Sequence, residues 1–469
     1  MSLDNPRVES TTRAVSLPTL ERRLGPFDAA AIVVSNVIGG GILFAPPQIA
    51  ASVPSALLFL STWVAGGLLA FAGAMAYAEL AALRPRAGGE YVYLKDAYGR
   101  LAAFLTGWTS FVAGFAGAIA ASATVLAFYL GRFIPGAGDT TAFFTLPIVP
   151  GVIELSPSRH RLVAIAAIFG MAWVHRRGIG PGRIVSDILA GLKVAAFVVF
   201  IAIGFSFGAG NAANLAQAAP VAPANWLLAL IPVMFTYSGW NAAAYMAEEV
   251  RNPGRNVPLA LALGTGAVVA IYLLINALYL YVLPATELAQ VRGSVLDVIA
   301  DRLLGGAAGN TMGVVSIISL LASISAMTFA GPRVYFAMAR DGLFFRAAAA
   351  VHPLYKTPSV SILAQAAWSS LLVLSATADA LVTYTGFAIV LFSGVAVVAL
   401  FVLRAKEPNA ERPFRAIGYP IAPGIYAIVS AAILLNGLYR DPQPTGFGAL
   451  IIAAGIPLYF LFRRQQVTA

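Results

Sequence analysis

The chain contains no cysteine and few charged residues. None of its 469 residues is Cys, and only 11% are Asp, Glu, Lys or Arg, whereas 59% are hydrophobic. The missing cysteine excludes a disulfide framework, a thiolate metal site, a cysteine nucleophile and a disulfide to a partner chain. Soluble domains carry roughly 25% charged residues, so the low charge excludes a protein whose whole surface faces water. The sequence is that of a membrane protein.

Long apolar runs account for most of the chain. Each of twelve runs is long enough to cross a bilayer as a helix of about 20 residues. We therefore expect an all-α polytopic membrane protein with twelve transmembrane helices. The runs cover residues 27–52, 55–83, 100–131, 160–177, 181–207, 225–247, 256–283, 308–340, 358–377, 379–403, 417–438 and 444–462.

The formal net charge of +10 is explained by topology rather than by a nucleic-acid partner. If the N-terminus is cytoplasmic, 23 of the 30 Lys and Arg residues fall on the cytoplasmic side, six fall outside, and Lys193 lies within a span. This is the positive-inside distribution. It predicts cytoplasmic termini and no role in nucleic-acid binding.

The first span contains three consecutive glycines near its centre, in the run Ser35–Leu43. Each interior glycine costs a helix about 0.8–1.0 kcal/mol relative to alanine. An unwound segment would leave N–H groups at the start of the following half-helix, where a carboxylate can bind. Close packing of two helices is the alternative reading of the same glycines.

The sixth span has a similar interruption, in the run Phe235–Asn241. Spans one to five begin inside and spans six to ten begin outside, so breaks at positions one and six indicate an inverted repeat of five plus five helices. Such symmetry predicts a substrate site at the membrane midplane. Free N–H and C=O groups at short separation suit a molecule with a carboxylate and an ammonium, which is an amino acid.

Several short motifs follow one another along nearly the whole chain. They are Val37–Ile42, Pro85–Tyr91, Phe235–Asn241, Glu248–Pro253, Gly331–Arg333, Ala339–Gly342 and Glu411–Phe414. Together these motifs resemble those of the amino acid–polyamine–organocation transporters, and in particular their L-type amino acid transporter-like branch.

The resemblance implies the LeuT-type fold, with twelve spans and alternating access by rocking of spans 1, 2, 6 and 7 against a scaffold. By motif position, the backbone N–H groups of Gly40, Gly41 and Ile42 would bind the substrate carboxylate. Gly40 replaces the serine common in the family, so a hydroxyl contact to the carboxylate is lost while backbone binding is kept.

The same motif positions imply the rest of the site. The carbonyls of Val37, Phe235 and Ser238 would accept from the substrate ammonium, and the Phe235 ring would act as a gate above the substrate. Asn241 and Trp240 would line or stabilise the pocket near the second unwound turn.

Lys193 is the only Lys or Arg well inside a span, six residues after Asp187. Such a residue is a functional candidate, although a lysine can also extend to the membrane surface. In the resembling family, a lysine at this spacing fills the place of the cation of sodium-coupled relatives. Its ammonium would then bond carbonyls of the first span and a hydroxyl of the eighth, where Ser319 and Ser323 share one face and Ser323 is the expected partner.

These features predict a sodium-independent secondary transporter of neutral L-amino acids, working by exchange or uniport, in the inner membrane of a prokaryote. A proton-coupled symporter, a permease for polyamines or cationic amino acids, and a channel stay open as alternatives. No motif for an enzyme, a metal site or a cofactor is found. The partners expected are the amino acid and the lipid bilayer, without a disulfide-linked heavy chain.

The expected organisation has four parts. Residues 1–25 form a cytoplasmic tail with an interfacial helix over 17–25, residues 26–207 the first repeat and residues 225–403 the second. Residues 404–469 hold the last two spans and a short cytoplasmic C-terminus.

Overall fold

The structure is a computed structural model. It describes residues 20–149, 153–207, 210–306, 308–375, 378–440 and 442–467. Of the predicted N-terminal tail, residues 1–19 lie outside the described residues.

Eighteen α-helices dominate the described residues. The first nine are α1 (Pro26–Val37), α2 (Gly41–Ser52), α3 (Ala56–Leu83), α4 (Glu90–Tyr98), α5 (Arg100–Thr109), α6 (Phe115–Leu130), α7 (Arg159–Arg176), α8 (Ile179–Phe207) and α9 (Pro223–Tyr237). The others are α10 (Ala242–Tyr245), α11 (Pro253–Val282), α12 (Ala285–Leu288), α13 (Val295–Leu304), α14 (Ala308–Arg340), α15 (Ser359–Ser375), α16 (Ala378–Lys406), α17 (Ile421–Arg440) and α18 (Pro442–Val467).

Short elements join these helices. A π-helical turn, Ser110–Gly114, links α5 to α6, and 3-10 turns cover Ala212–Ala216, Ala247–Glu249 and Arg346–Ala349. The strands β1 (Leu146–Val149) and β2 (Ile153–Leu155) pair in antiparallel fashion and were not predicted from the sequence.

Proline fixes the start of several helices, because its φ suits the first helical turn, where no N–H partner is needed. Pro26, Pro223 and Pro253 take this place in α1, α9 and α11.

Eight helices of the described residues are long and apolar enough to cross a membrane, and the bent pair α1 and α2 makes a ninth candidate span. Pro223–Tyr237 and Ser359–Ser375 are apolar but shorter. The expected multispan helical architecture is thus present, whereas the count of twelve goes beyond what length and composition alone decide.

The first half of the broken span lies at the centre of the packing. α1 packs against α8, α11 and α14, while α2 packs against α9, and α3 packs against both α9 and α11. Of the apolar window of α14, 72% is buried within the protein, against 17% for α17. The interior is therefore built around α1 and α14, and α17 lies at the periphery.

Charged residues concentrate on one end of the helices, which we call the basic face. It holds the ion pairs of Arg84 with Glu407, Arg340 with Glu248, and Arg404 with Glu79.

Residues 20–25 are extended along the basic face, where an interfacial helix was expected. The N–H groups of Arg23 and Leu24 both donate to the Glu249 carbonyl at 2.9 Å. The Leu24 carbonyl in turn accepts a hydrogen bond from the Arg251 N–H. Pairing with another segment satisfies these backbone groups, so this stretch needs no helix of its own.

Candidate functional site

The first span is broken at its glycines. α1 ends at Val37, α2 begins at Gly41, and their axes differ by 49°. The opening N–H groups of α2 have no partner within the helix. A Cβ added at Gly40 would meet no atom within 4 Å, so this glycine faces open space.

The neighbouring glycines are needed for close contact between elements. A Cβ on Gly41 would lie 3.1 Å from Cα, Cγ2 and Oγ1 of Thr236, in the second interrupted span. A Cβ on Gly39 would lie 3.1 Å from Oγ of Ser323. The two broken spans therefore meet at Gly41, which reconciles the packing reading of the glycines with the unwinding reading.

The second break follows α9 and consists of turns over Ser238–Asn241. Gly239 has φ +100°, a conformation that favours glycine, and Nδ2 of Asn36 donates to its carbonyl at 3.0 Å. The Ser238 N–H donates to the Phe235 carbonyl at 3.0 Å. Asn36, which sequence reasoning gave no role, thus ties the first break to the second.

Tyr272 of α11 joins the same two segments. Its hydroxyl lies 3.0 Å from the Val37 carbonyl and 3.2 Å from the Thr236 carbonyl. The Val37 carbonyl, expected at the substrate ammonium, therefore already has a protein partner on one of its two lone pairs. No sequence signal singled out Tyr272, because a tyrosine in an apolar span has the same pattern as an ordinary core residue.

Lys193 is fully buried in α8 and does not extend to the surface. Its Nζ donates to the carbonyls of Ser35, at 3.1 Å, and Ile38. Ser323 Oγ lies 2.9 Å from the Ser35 carbonyl and 3.2 Å from that of Ile38, and Ser319 Oγ lies 3.2 Å from the latter. The ammonium thus sits among oxygen atoms of α1 and α14, next to the first break.

The residues of the two breaks line one cavity of about 520 Å³. It extends along α2 past Phe44 to Gln48, away from the basic face. Of the expected site residues, its lining includes Val37, Gly40, Gly41, Phe235, Ser238 and Ser323.

Ile42 and Trp240 are placed differently. The side chain of Ile42 is buried in the core, which leaves only its N–H for a ligand. Trp240 packs edge-on against Tyr77 and Tyr426 in an aromatic cluster.

A smaller cavity of about 100 Å³ adjoins the larger one on the side of the basic face. Asn36, Ser238 and Met327 line both. Asn241 and Glu90 line only the smaller one, and Glu90 had not been singled out as a functional residue.

Three acidic residues near span ends form ion pairs at the basic face. Glu79 pairs with Arg404 and Arg412, Glu248 with Arg340, and Glu249 with Arg333. The described residues contain no group of three or more His, Asp or Glu side chains placed to hold a metal ion.

Comparison with known proteins identifies the family. The sequence pattern of the amino acid permease family matches residues 24–462. The chain belongs to the amino acid permease family. Its members are transporters, so this protein is a transporter and not an enzyme.

Individual relatives cover nearly the full chain. The mouse large neutral amino acids transporter small subunit 2 is 29% identical over 452 residues, covering 94% of this chain and 81% of its own. The mouse b(0,+)-type amino acid transporter 1 is 28% identical over 461 residues, covering 97% and 91%. The serine/threonine exchanger SteT of Bacillus subtilis (strain 168) is 26% identical over 451 residues, covering 96% and 98%.

Proposed function

We propose that this protein exchanges neutral L-amino acids across the membrane by alternating access and without sodium. The observation that carries the proposal is the meeting of two helix breaks, Ile38–Gly40 and Ser238–Asn241, at one cavity. Two of its relatives support the proposal by name: a large neutral amino acids transporter supports the substrate class, and a serine/threonine exchanger supports the exchange mode.

In this proposal the fold is of the LeuT type, with twelve spans and an inverted repeat of 26–207 and 225–403. Supporting it, α1 packs against α11, α2 packs against α9, and α3 packs against both α9 and α11, as a rocking bundle of spans 1, 2, 6 and 7 requires. In this proposal the basic face and both termini are cytoplasmic, which the positive-inside rule supports, and the membrane is the inner membrane of a prokaryote.

The amino acid binds between the breaks. Its carboxylate receives hydrogen bonds from the N–H groups of Gly40, Gly41 and Ile42, where the start of a helix favours negative charge. Its ammonium donates to the carbonyls of Phe235 and Ser238 and to the remaining lone pair of Val37, and the Phe235 ring closes the cavity above it.

Lys193 replaces a coupling cation. Its ammonium contacts carbonyls of the first break that a bound sodium ion would otherwise neutralise. A fixed positive charge at this point removes the need for sodium, and a substrate on each side then drives exchange.

The direction of the larger cavity and the closed basic face indicate an outward-facing state. The larger cavity runs away from the basic face, and that face is closed by ion pairs such as Arg333 with Glu249, whose side chains are 1% and 0% exposed. Inward opening must part some of these contacts.

The test is uptake of labelled L-amino acids by purified protein in liposomes, with sodium, pH gradient and internal counter-substrate varied separately. We expect counter-substrate alone to stimulate uptake of neutral amino acids. A strict sodium requirement would contradict the role given to Lys193. If a pH gradient alone drove accumulation of the amino acid, the protein would be a proton-coupled symporter rather than an exchanger.

A further inference from the structure

Glu90 and Asn241 form a hydrogen-bonded unit beside the smaller cavity. Glu90 opens α4 and is 5% exposed, and its Oε1 accepts from Nδ2 of Asn241 at 2.8 Å and from the Tyr77 hydroxyl at 2.5 Å. Among the ion pairs of the described residues, none includes Glu90. Its Oε1 is therefore satisfied by neutral donors.

These contacts determine the orientation of the Asn241 amide. Nδ2 donates to Glu90 at 2.8 Å and to the Tyr245 hydroxyl at 3.0 Å, which occupies both N–H bonds. The reverse orientation would direct the amide oxygen at a carboxylate oxygen that already accepts from Tyr77, and two acceptors repel each other. The amide oxygen is consequently the part of Asn241 left for a ligand in the cavity that this residue lines.

The position of this oxygen relates it to the substrate side chain. An amino acid held between Gly40 and Ser238 lies in the larger cavity, and Ser238 also lines the smaller one. A side chain that points towards Asn241 enters a volume of about 100 Å³, which accommodates a small group. An acceptor there favours a side chain that donates a hydrogen bond.

We propose that Glu90 is a positioning residue that holds the Asn241 amide so that its oxygen accepts a hydrogen bond from the substrate, which selects small hydroxyl-bearing amino acids. This inference rests on the proposed function and refines its substrate class. A purely structural role of Glu90, joining α4 to α3 and α10, would affect all substrates equally.

The test compares substrate pairs that differ in a hydroxyl. Half-saturating concentrations for exchange are measured in liposomes for threonine against valine and for serine against alanine. One hydrogen bond is worth roughly a two- to tenfold preference, so wild type should favour threonine over valine, and serine over alanine, by that factor.

Three variants separate positioning from folding. Glu90→Leu removes the acceptor that holds the amide, so both preferences should fall to about one while alanine exchange continues. Glu90→Gln keeps an acceptor oxygen and should retain the preferences. Tyr93→Phe is the matched control, because the Tyr93 hydroxyl is buried near the same cluster with no hydrogen-bond partner among the described residues.

The inference is overturned if wild type exchanges valine as efficiently as threonine. It is also overturned if Glu90→Leu keeps the preference for hydroxyl-bearing substrates, or if Glu90→Gln loses that preference. Should Glu90→Leu fail to fold, Asn241→Leu removes the acceptor directly and must abolish the preference. Better exchange of ornithine than of threonine would overturn it too, since Glu90 would then bind a cation itself. Absence of any neutral amino acid exchange by wild type would instead refute the proposed function on which it depends.

Discussion

Lys193 shows how one side chain can complete a broken helix. Buried carbonyls that lose their helical partners are costly unless another donor reaches them. The Lys193 ammonium reaches two of them, on Ser35 and Ile38, from a neighbouring helix. Its charge and its donor capacity therefore act on the same segment that the substrate is proposed to contact.

Lys193→Met should lower exchange at least tenfold, because the carbonyls of Ser35 and Ile38 lose the ammonium and its charge and keep only serine hydroxyl groups as donors. Lys406→Met is the matched control: Lys406 also donates to a carbonyl, that of Ala97, but at the basic face. Initial exchange rates in liposomes, normalised to folded protein, check this. Equal losses in the two variants would contradict a special role for Lys193.

Adding a side chain should destabilise the protein at Gly41 but not at the adjacent Gly40. Gly41→Ala brings a Cβ to 3.1 Å from Thr236, whereas Gly40→Ala meets open space. Overpacking costs about 1–3 kcal/mol, so Gly41→Ala should lower both the unfolding midpoint and exchange, and Gly40→Ala should leave the unfolding midpoint unchanged. Thermal unfolding in detergent decides, and a stable, active Gly41→Ala protein would count against the close contact of the two breaks.

At the residue scale the sequence revealed the glycines and the buried lysine but not their partners. Three glycines in an apolar run and a lysine in a span break local rules, and such exceptions are visible in the chain itself. Tyr272 and Asn36 break no rule, and Glu90 reads as part of a cytoplasmic loop. Their roles arise only from tertiary contacts between distant segments.

Among elements, the ion pairs differ greatly in burial, from a buried pair at the basic face to an exposed pair between α12 and α13, at the opposite end of the helices. Arg333 and Glu249 link α14 to the segment after α10 and are almost fully buried, whereas Arg302 and Glu287 are 53% and 45% exposed. Removing one partner of a buried pair leaves an uncompensated charge, while an exposed pair contributes little. The buried pair therefore contributes more to stability than the exposed one, and it does so at the basic face.

Glu249→Gln should destabilise the protein by about 3–5 kcal/mol, and Glu287→Gln by less than about 1 kcal/mol. Unfolding midpoints in detergent report the difference, and Arg333→Met combined with Glu249→Leu should recover much of the loss. Similar midpoints for the two single variants would show that burial does not strengthen the pair.

Glu248 should keep its pairing throughout the neutral pH range. Burial acts to raise the pKa of its carboxyl, but Arg340 and the N–H groups of Ala87 and Leu20 hold that pKa below its ordinary value of 4.5. A carboxyl whose pKa is lowered in the folded state stabilises the protein at pH values above its ordinary pKa. That stabilisation is lost as the pH falls through the pKa of the folded state. The difference in unfolding midpoint between wild type and Glu248→Gln should thus stay constant from about pH 6 to 8 and shrink in acid; a change within the neutral range would contradict this.

The segment 20–25 marks a limit of prediction at this scale. Its composition suited an interfacial helix, yet it pairs with the turn at Glu249–Arg251. Local sequence could not indicate that partner, which lies more than 220 residues away along the chain.

For the whole molecule, hydrophobic runs predicted the helical architecture well because lipid allows few ways to satisfy a backbone. The order of the helices along the chain does not specify their packing, and the central place of α14 became visible only in the structure. The site depends on that packing, since it lies where α1, α9, α11 and α14 approach one another.

The central claim is that this molecule exchanges neutral amino acids at the two helix breaks without sodium. Its most direct test is uptake of labelled threonine into sodium-free liposomes at equal pH, with and without unlabelled threonine inside. The account predicts rapid uptake only into loaded vesicles. Uptake that is equal in empty and loaded vesicles, or absent until sodium is added, would contradict it.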